Sequence, residues 1–294
     1  RAGGTPALRA YPPEDAAPVS VAASGFRPKE WIRPMPEFVL YNAPQSTCSQ
    51  RVRFVLNAKG TPYEEHKLDL FSGDQLKPDY LKINPNGVVP SIVHDGRVVI
   101  DSSVIMEYLD EVVPDLGAFT PSDPVERGKM RSMMRYIDEV PAPAIRIPSY
   151  NLAFLPHFQT MSQEEFQALA DSKPLRKEFL LKMGRTGFPQ AEMDEALGRL
   201  ARSVVRMDDW IAESGGPFLL GEQITLADIM VMPVMVRMDD INLHTMWADA
   251  PRVAAWLDAV RAHPAYKVTY YPGSLLTEKY PHLARLLEER NRVA

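Results

Sequence analysis

The sequence predicts a small α/β domain followed by an all-helical one, and two observations carry that prediction. Between Glu37 and Val113, short apolar runs and amphipathic stretches alternate in the order βαβ-ββα, which implies a mixed sheet with helices on its faces. Beyond a segment with three prolines, Pro114 to Pro124, the apolar residues recur at helical spacing.

Each element has its own reason. Phe38 to Tyr41 is an apolar strand, and Arg51 to Ala58 follows as a helix with Val52, Val55 and Leu56 on one side. Glu64 to Leu70 is a weaker strand, and Lys77 to Ile83 a short helix or turn. Pro90 to Val93 and Arg97 to Ile100 are strands joined by His94-Asp95-Gly96, a hairpin signal. Ser102 to Val112 then reads as a helix. In the second half, Val125 to Val140, Met193 to Ser214 and Pro251 to Ala262 are amphipathic. Thr225 to Met238 starts with a capping box, Thr225 at the N-cap and Asp228 at N3. Its continuation Ile229-Met230-Val231-Met232 is apolar all round, so this helix belongs at the centre. The expected organisation is an extension over 1–35, an α/β domain over 36–114, a helical domain over 122–275 and a tail or helix over 276–294. In the extension, Arg1 to Pro34 has no period of either kind, and Trp31 and Ile32 are the residues able to pin its end.

A chain of 294 residues with net charge −5 and no basic block makes nucleic acid an unsuitable partner. Its single cysteine excludes an internal disulfide and suits a reducing cytoplasm. No apolar run nears the roughly 18 residues that span a bilayer, so no membrane is expected. The six histidines do not cluster at metal-ligand spacing, and no metal is expected.

Three local features offer chemistry. The first is Ser46-Thr47-Cys48-Ser49, three hydroxyls and a thiol at a strand-to-helix junction, where free backbone N–H groups and the helix dipole favour an anion. The second is Val89-Pro90, a proline entering a strand, which a cis bond would suit. The third is Asp101-Ser102 at the start of a helix, a place for a carboxylate on Ser102 and the N–H groups and for an ammonium on Asp101. Taken singly, each has a structural reading: Cys48 as a small buried hydrophobe, Pro90 as a trans strand start, Ser102 as the helix N-cap.

Together and in this order, over roughly Glu37 to Lys267, these features resemble the cytosolic glutathione S-transferases, whose first domain is thioredoxin-like and whose second is all-helical. Ser46-Thr47-Cys48-Ser49-Gln50-Arg51-Val52-Arg53 is similar to the zeta-class motif Ser-Ser-Cys-x-Trp-Arg-Val-Arg, without its tryptophan, and to the Cys-Ser pair of reductive dehalogenases in the superfamily. The resemblance implies that Val89-Pro90 pairs with the glutathione cysteinyl backbone, that Asp101-Ser102 grips the γ-glutamyl group, and that Gln75 meets the glycyl end. Thr225-Leu226-Ala227-Asp228 matches the capping box of the second domain.

A finer resemblance points to bacterial enzymes that cleave β-aryl ethers of lignin. It lies in Pro124 to Glu139, Met161-Ser162-Gln163-Glu164-Glu165-Phe166 and Arg185-Thr186-Gly187-Phe188-Pro189-Gln190. In that group a serine aligned with Ser49 lies near the glutathione sulfur. The resemblance thus implies glutathione as cofactor, with Ser49 donating to its thiolate and Thr47 or Ser46 next in order. Cys48 is an open participant. Tyr150, Phe154 and Phe158 are expected as an aromatic wall for a small aromatic electrophile, or else as core. Isomerisation of a maleyl compound, reductive dehalogenation and non-catalytic binding of glutathione or an aromatic ligand are the alternatives. A homodimer is implied by the family.

Overall fold

A computed structural model describes residues 38–114 and 117–293, with side chains through residue 288; the extension expected over 1–35, with Trp31 and Ile32, lies outside the described residues. Four strands form one mixed sheet: β1 (Phe38–Asn42), β2 (Tyr63–Lys67), β3 (Ser91–His94) and β4 (Arg97–Ile100), in the order β2-β1-β3-β4. β1 runs parallel to β2 and antiparallel to β3, and β3 is antiparallel to β4. The β3–β4 hairpin turns through Asp95 and Gly96, both at positive φ (49° and 74°), the conformation such a two-residue turn requires. The weaker strand ends at Lys67 rather than Leu70. Leu68 still donates to the Asn42 carbonyl of β1 at 2.8 Å, and the backbone then leaves the ladder into the turns that carry Phe71 and Gln75.

Three helices complete this half: α1 (Thr47–Ala58), α2 (Pro78–Ile83) and α3 (Ser102–Val112). α1 begins four residues before its apolar periodicity does, because Ser46 caps it: the Ser46 Oγ accepts from the Ser49 N–H. Ser46 to Ser49 are therefore the cap and first turn of a helix rather than a loop ahead of it.

The helical half comprises α4 (Pro124–Glu139), α5 (Pro141–Ser149), α6 (Leu155–Gln159), α7 (Gln163–Asp171), α8 (Lys177–Met183), α9 (Gln190–Ser214), α10 (Leu226–Asp240), α11 (Pro251–Ala262), α12 (Pro264–Thr269), α13 (Leu276–Lys279) and α14 (Pro281–Val293). α10 is the central helix, with every residue from Leu226 to Met238 buried. Asp228 holds its N-terminus by accepting from the Leu219 and Thr225 N–H groups, the Thr225 hydroxyl and the Trp256 indole at 2.8–2.9 Å. Burial still pushes the Asp228 carboxyl above its ordinary value. Among the described residues no helix is long and apolar enough to cross a membrane.

The two halves share one core, and Arg51 is its hinge pin. This fully buried side chain of α1 donates to the Met230 carbonyl in α10 at 2.9 Å and to Ser102 in α3 and Asp138 in α4 at 3.2 Å. Between α5 and α6 the chain widens into one π-helical turn, Tyr150–Phe154. Pro148, just before it, brings no N–H to the helical ladder, which loosens the coil there. Asn151 in that turn exchanges two bonds with Phe188, its amide donating to the carbonyl (2.9 Å) and its Oδ1 accepting from the N–H (2.8 Å). The segment from α6 to α8 is thereby tied back onto the bundle.

Candidate active site

A cavity of about 380 Å³ opens where the α1 N-terminus faces α5 and the π-helical turn. Its polar wall comes from the sheet half: Gln45, Ser46, Thr47 and Cys48, then Gln75, then the backbone from Asn86 to Val89. The wall is held from behind. The Arg237 guanidinium of α10 donates to the Gln45 carbonyl, and the Gln45 amide donates to the Gly273 carbonyl. Gln50 reaches the carbonyls of Pro44 (3.2 Å) and Ser274 (3.0 Å).

This geometry corrects the expected sulfur donor. Ser49 has no exposed surface and does not line the cavity; its Oγ turns inward and accepts from the Ala43 N–H at 3.3 Å. One residue along a helix rotates a side chain by about 100°, so a wall that includes Ser46, Thr47 and Cys48 turns the fourth position into the core. The residues of this segment that line the cavity are Ser46, Thr47 and Cys48. The Ser46 Oγ accepts from a helix N–H, which leaves its own proton to donate outward.

The Val89–Pro90 bond is cis. Val89 lines the cavity and Pro90 is buried behind it. Among the described residues no protein group hydrogen-bonds the Val89 backbone. Gln75 is buried, its amide on the Leu70 carbonyl at 3.3 Å, and its Oε1 has no partner. A buried acceptor left open beside a cavity is a place for a ligand N–H.

Asp101 and Ser102 do not line the cavity itself. The β3–β4 ladder, in which Ser91 faces Ile100, carries them to the same end of the sheet as Pro90. The structural reading of Ser102 as N-cap is corrected: Asp101 caps α3, its Oδ1 accepting from the Ser103 N–H (2.9 Å), the Ser103 hydroxyl (2.6 Å) and the Val104 N–H (3.4 Å). The cap belongs to the aspartate because its backbone is non-helical, at φ 73°. Such a conformation in a residue other than glycine is costly and concentrates at functional sites. Ser102 instead accepts from Arg51.

The opposite wall is aromatic. Tyr150, Phe154 and Phe158 all line the cavity, spaced four apart along the chain. Tyr150 meets Phe154 edge to face at 4.8 Å and stacks over Phe158 at 6.2 Å. Burial raises the Tyr150 hydroxyl above its ordinary value against the opposing pull of Arg146 and Arg176, so it is neutral at physiological pH.

Several lining residues had not been singled out. Phe71 bridges the two halves, its ring 5.5 Å from Phe154 and 5.9 Å from Tyr280. Arg146 and Arg176 add charge. Arg146 was legible, since it stands four residues before Tyr150 in the same spacing. Phe71 and Tyr280 gave no signal: one lies in a turn, the other in the segment expected to be a tail.

Two family models match this chain: the glutathione S-transferase N-terminal domain over residues 45–112 and the C-terminal domain over residues 190–259. Protein LigF of Sphingobium sp. strain SYK-6 is 30% identical over 239 residues, covering 78% of this chain and 91% of LigF. The crystal structure of that protein, described as a beta-etherase, superposes with a TM-score of 0.72 over 79% of this chain and 98% of the other. Maleylacetoacetate isomerase of Pseudomonas aeruginosa is 26% identical, covering 78% of this chain and 93% of that protein. The tetrachloro-p-hydroquinone reductive dehalogenase of Sphingobium chlorophenolicum is 24% identical, covering 79% and 95%. With a matching fold, both family models and a relative at this identity and coverage, the chain belongs to the glutathione S-transferase family.

Proposed function

We propose that this protein is a glutathione-dependent enzyme that cleaves β-aryl ethers of lignin-derived aromatics. The observation that carries the reading is the pairing of walls. A polar wall at a capped helix N-terminus faces an aromatic one across a single cavity. The likeness to a beta-etherase structure supports the choice of reaction.

The residues present fit glutathione. The unpartnered Gln75 Oε1 suits an N–H near the glycyl end, and the open Val89 backbone suits the cysteinyl amide. Ser102 and Asp101 stand at the γ-glutamyl end, where the free Asp101 Oδ2 is an acceptor for an ammonium. Bound glutathione supplies a thiolate that forms a C–S bond at the carbon beside a ketone as the C–O bond breaks and its electron pair leaves with the aryloxide. The chain favours the thiolate with the Ser46 hydroxyl and the positive end of α1, together about 1–3 kcal/mol or roughly one to two pKa units. The aromatic wall holds the ring so that the reacting carbon lies in line with the sulfur. In this reading the enzyme is cytoplasmic and a homodimer, and sedimentation measurements check the dimer.

The test is release of a fluorescent phenol from a β-aryl ether ketone in the presence of glutathione. Release no faster than without protein would sink the reading and, if both ligands still bind tightly, leave a non-catalytic binder. Cys48 on the cavity wall favours one second reading, reductive dehalogenation, which needs an enzyme thiol at the site. Cys48→Ser separates the two: it abolishes dehalogenation and leaves ether cleavage intact.

A further inference from the structure

Arg146 on α5 and Arg176 just before α8 both line the aromatic side of the cavity. Neither has a carboxylate partner among the described residues. The Arg146 guanidinium lies 5.7 Å from the centre of the Phe179 ring and makes no hydrogen bond. The side-chain bond of Arg176 goes to the carbonyl of its neighbour Leu175, at 3.1 Å. The buried arginines elsewhere make more bonds, two of them with carboxylates and Arg53 with neutral acceptors alone. Arg51 has Asp138, Arg53 has the Asn42 Oδ1 at 2.8 Å, and Arg237 has Asp240 at 3.9 Å with the Gln45 carbonyl.

The lining of the cavity offers these cations no relief. Its carboxylate, Asp69, is exposed, accepts through Oδ1 from the N–H groups of Phe71 (2.9 Å) and Ser72 (3.3 Å), and pairs with neither arginine. Burial, and then the charge of Arg176, pull Arg146 below its ordinary value, so the two guanidinium groups oppose one another. Tyr150 lines the same cavity, its ring 4.8 Å from the Phe179 ring that Arg146 also approaches, and its hydroxyl, within the field of both arginines, has no hydrogen-bond partner among the described residues. Two half-buried like charges on one cavity wall, with no carboxylate paired to either, favour an anionic ligand.

We propose that the aromatic substrate carries a carboxylate, and that Arg146, Arg176 and the Tyr150 hydroxyl form the subsite that holds it. This rests on the reading of the cavity as an aromatic-ether site and names the class of ether. A carboxylate fits for two reasons. Its two oxygens accept from a planar guanidinium fork in bidentate fashion while the phenol donates to the same group. Its charge is also present in the resting complex, whereas a departing aryloxide becomes an anion only as the bond breaks. In the proposed function the carboxylates of glutathione go to Gln75 and to the Asp101–Ser102 end, and the glutathione Kd of the arginine variants checks that neither arginine holds them.

The test measures binding, so it does not depend on turnover. With the protein saturated by S-methylglutathione, calorimetry gives the Kd of 4-phenoxybenzoate and of 4-phenoxybenzamide. The acid binds about tenfold tighter or more, the increment of one or two charge-assisted hydrogen bonds. Arg146→Gln and Arg176→Gln each remove most of that preference, Arg146→Lys keeps part of it, and the Kd of glutathione stays the same in all three. An acid and an amide that bind equally to the wild type overturn the proposal, as does a preference that survives both Gln variants. Cleavage of a neutral β-aryl ether is scored separately. Cleavage without acid preference refutes the subsite alone, and acid preference without cleavage of a neutral or a carboxylated ether refutes the etherase reading.

Discussion

Replacing Ser46 by alanine and, separately, Ser49 by alanine distinguishes two neighbouring hydroxyls that the sequence alone ranks in the opposite order. The Ser46 hydroxyl lies on the cavity wall with its proton free to donate. A hydrogen bond to a charged acceptor contributes about 1.5–3 kcal/mol, and a pKa unit corresponds to about 1.4 kcal/mol, so Ser46→Ala raises the pKa of the bound glutathione thiol by roughly one to two units. Below that pKa the thiolate fraction, and kcat/KM with it, falls about tenfold or more, and the two enzymes converge at alkaline pH. Loss of the cap costs a further ~1 kcal/mol of stability without touching the convergence. Ser49→Ala removes an acceptor from the Ala43 N–H and costs about 1 kcal/mol of stability, with no effect on the thiol. Ultraviolet titration of bound thiolate, read beside the pH profile of kcat/KM, gives both numbers. A thiol pKa unmoved in Ser46→Ala, or raised equally in Ser49→Ala, refutes the assignment.

Two further outcomes follow from the packing. At Gly187, where φ is +89°, an added Cβ would stand 2.9 Å from both the Asn151 Oδ1 and the Leu155 Cδ2. Gly187→Ala therefore costs about 2–3 kcal/mol and loosens the π-helical turn. Thermal unfolding shifts down and KM for the aromatic ether rises, while KM for glutathione is unchanged. His263 accepts from the Ala265 N–H at the start of α12, and burial lowers its folded pKa below the ordinary 6.5. A depressed folded pKa means stability that is present above the unfolded value and lost as pH falls toward the folded one. Between pH 8 and pH 5 the wild type thus loses more thermal stability than His263→Asn, which keeps a cap without a titration; equal losses would show that the imidazole contributes nothing.

The sequence announced what periodicity and caps announce. α3 and α11 match their expected bounds, and the two-residue turn at Asp95-Gly96 and the buried α10 follow directly from local chemistry. The cis Val89–Pro90 bond was legible only as one of two states, because proline lowers the difference between them without choosing. The orientation of Ser49 was not legible. It depends on where α1 begins, and apolar spacing marks the face of a helix better than its first residue. Phe71 and Tyr280 were invisible for another reason: they are joined to the wall by tertiary contact across the halves, and neither lies in a periodic segment. The cations were hidden by their type, since an arginine in a sequence reads as surface until its missing partner is seen in space.

Arg51 has a consequence for how this chain is divisible. Its guanidinium serves α1 while borrowing partners from α3, α4 and α10. A cut in the proline-rich segment after α3 would remove two of its three acceptors and expose to water the apolar surface of α1 and α3 that packs on α10. The sheet half is therefore not a portable module in the way a free-standing redox domain is, and gene fusions that graft it alone onto a new partner are expected to aggregate. Exchange between relatives has to move α4 and α10 with it, so the unit of inheritance in this protein is the pair of halves.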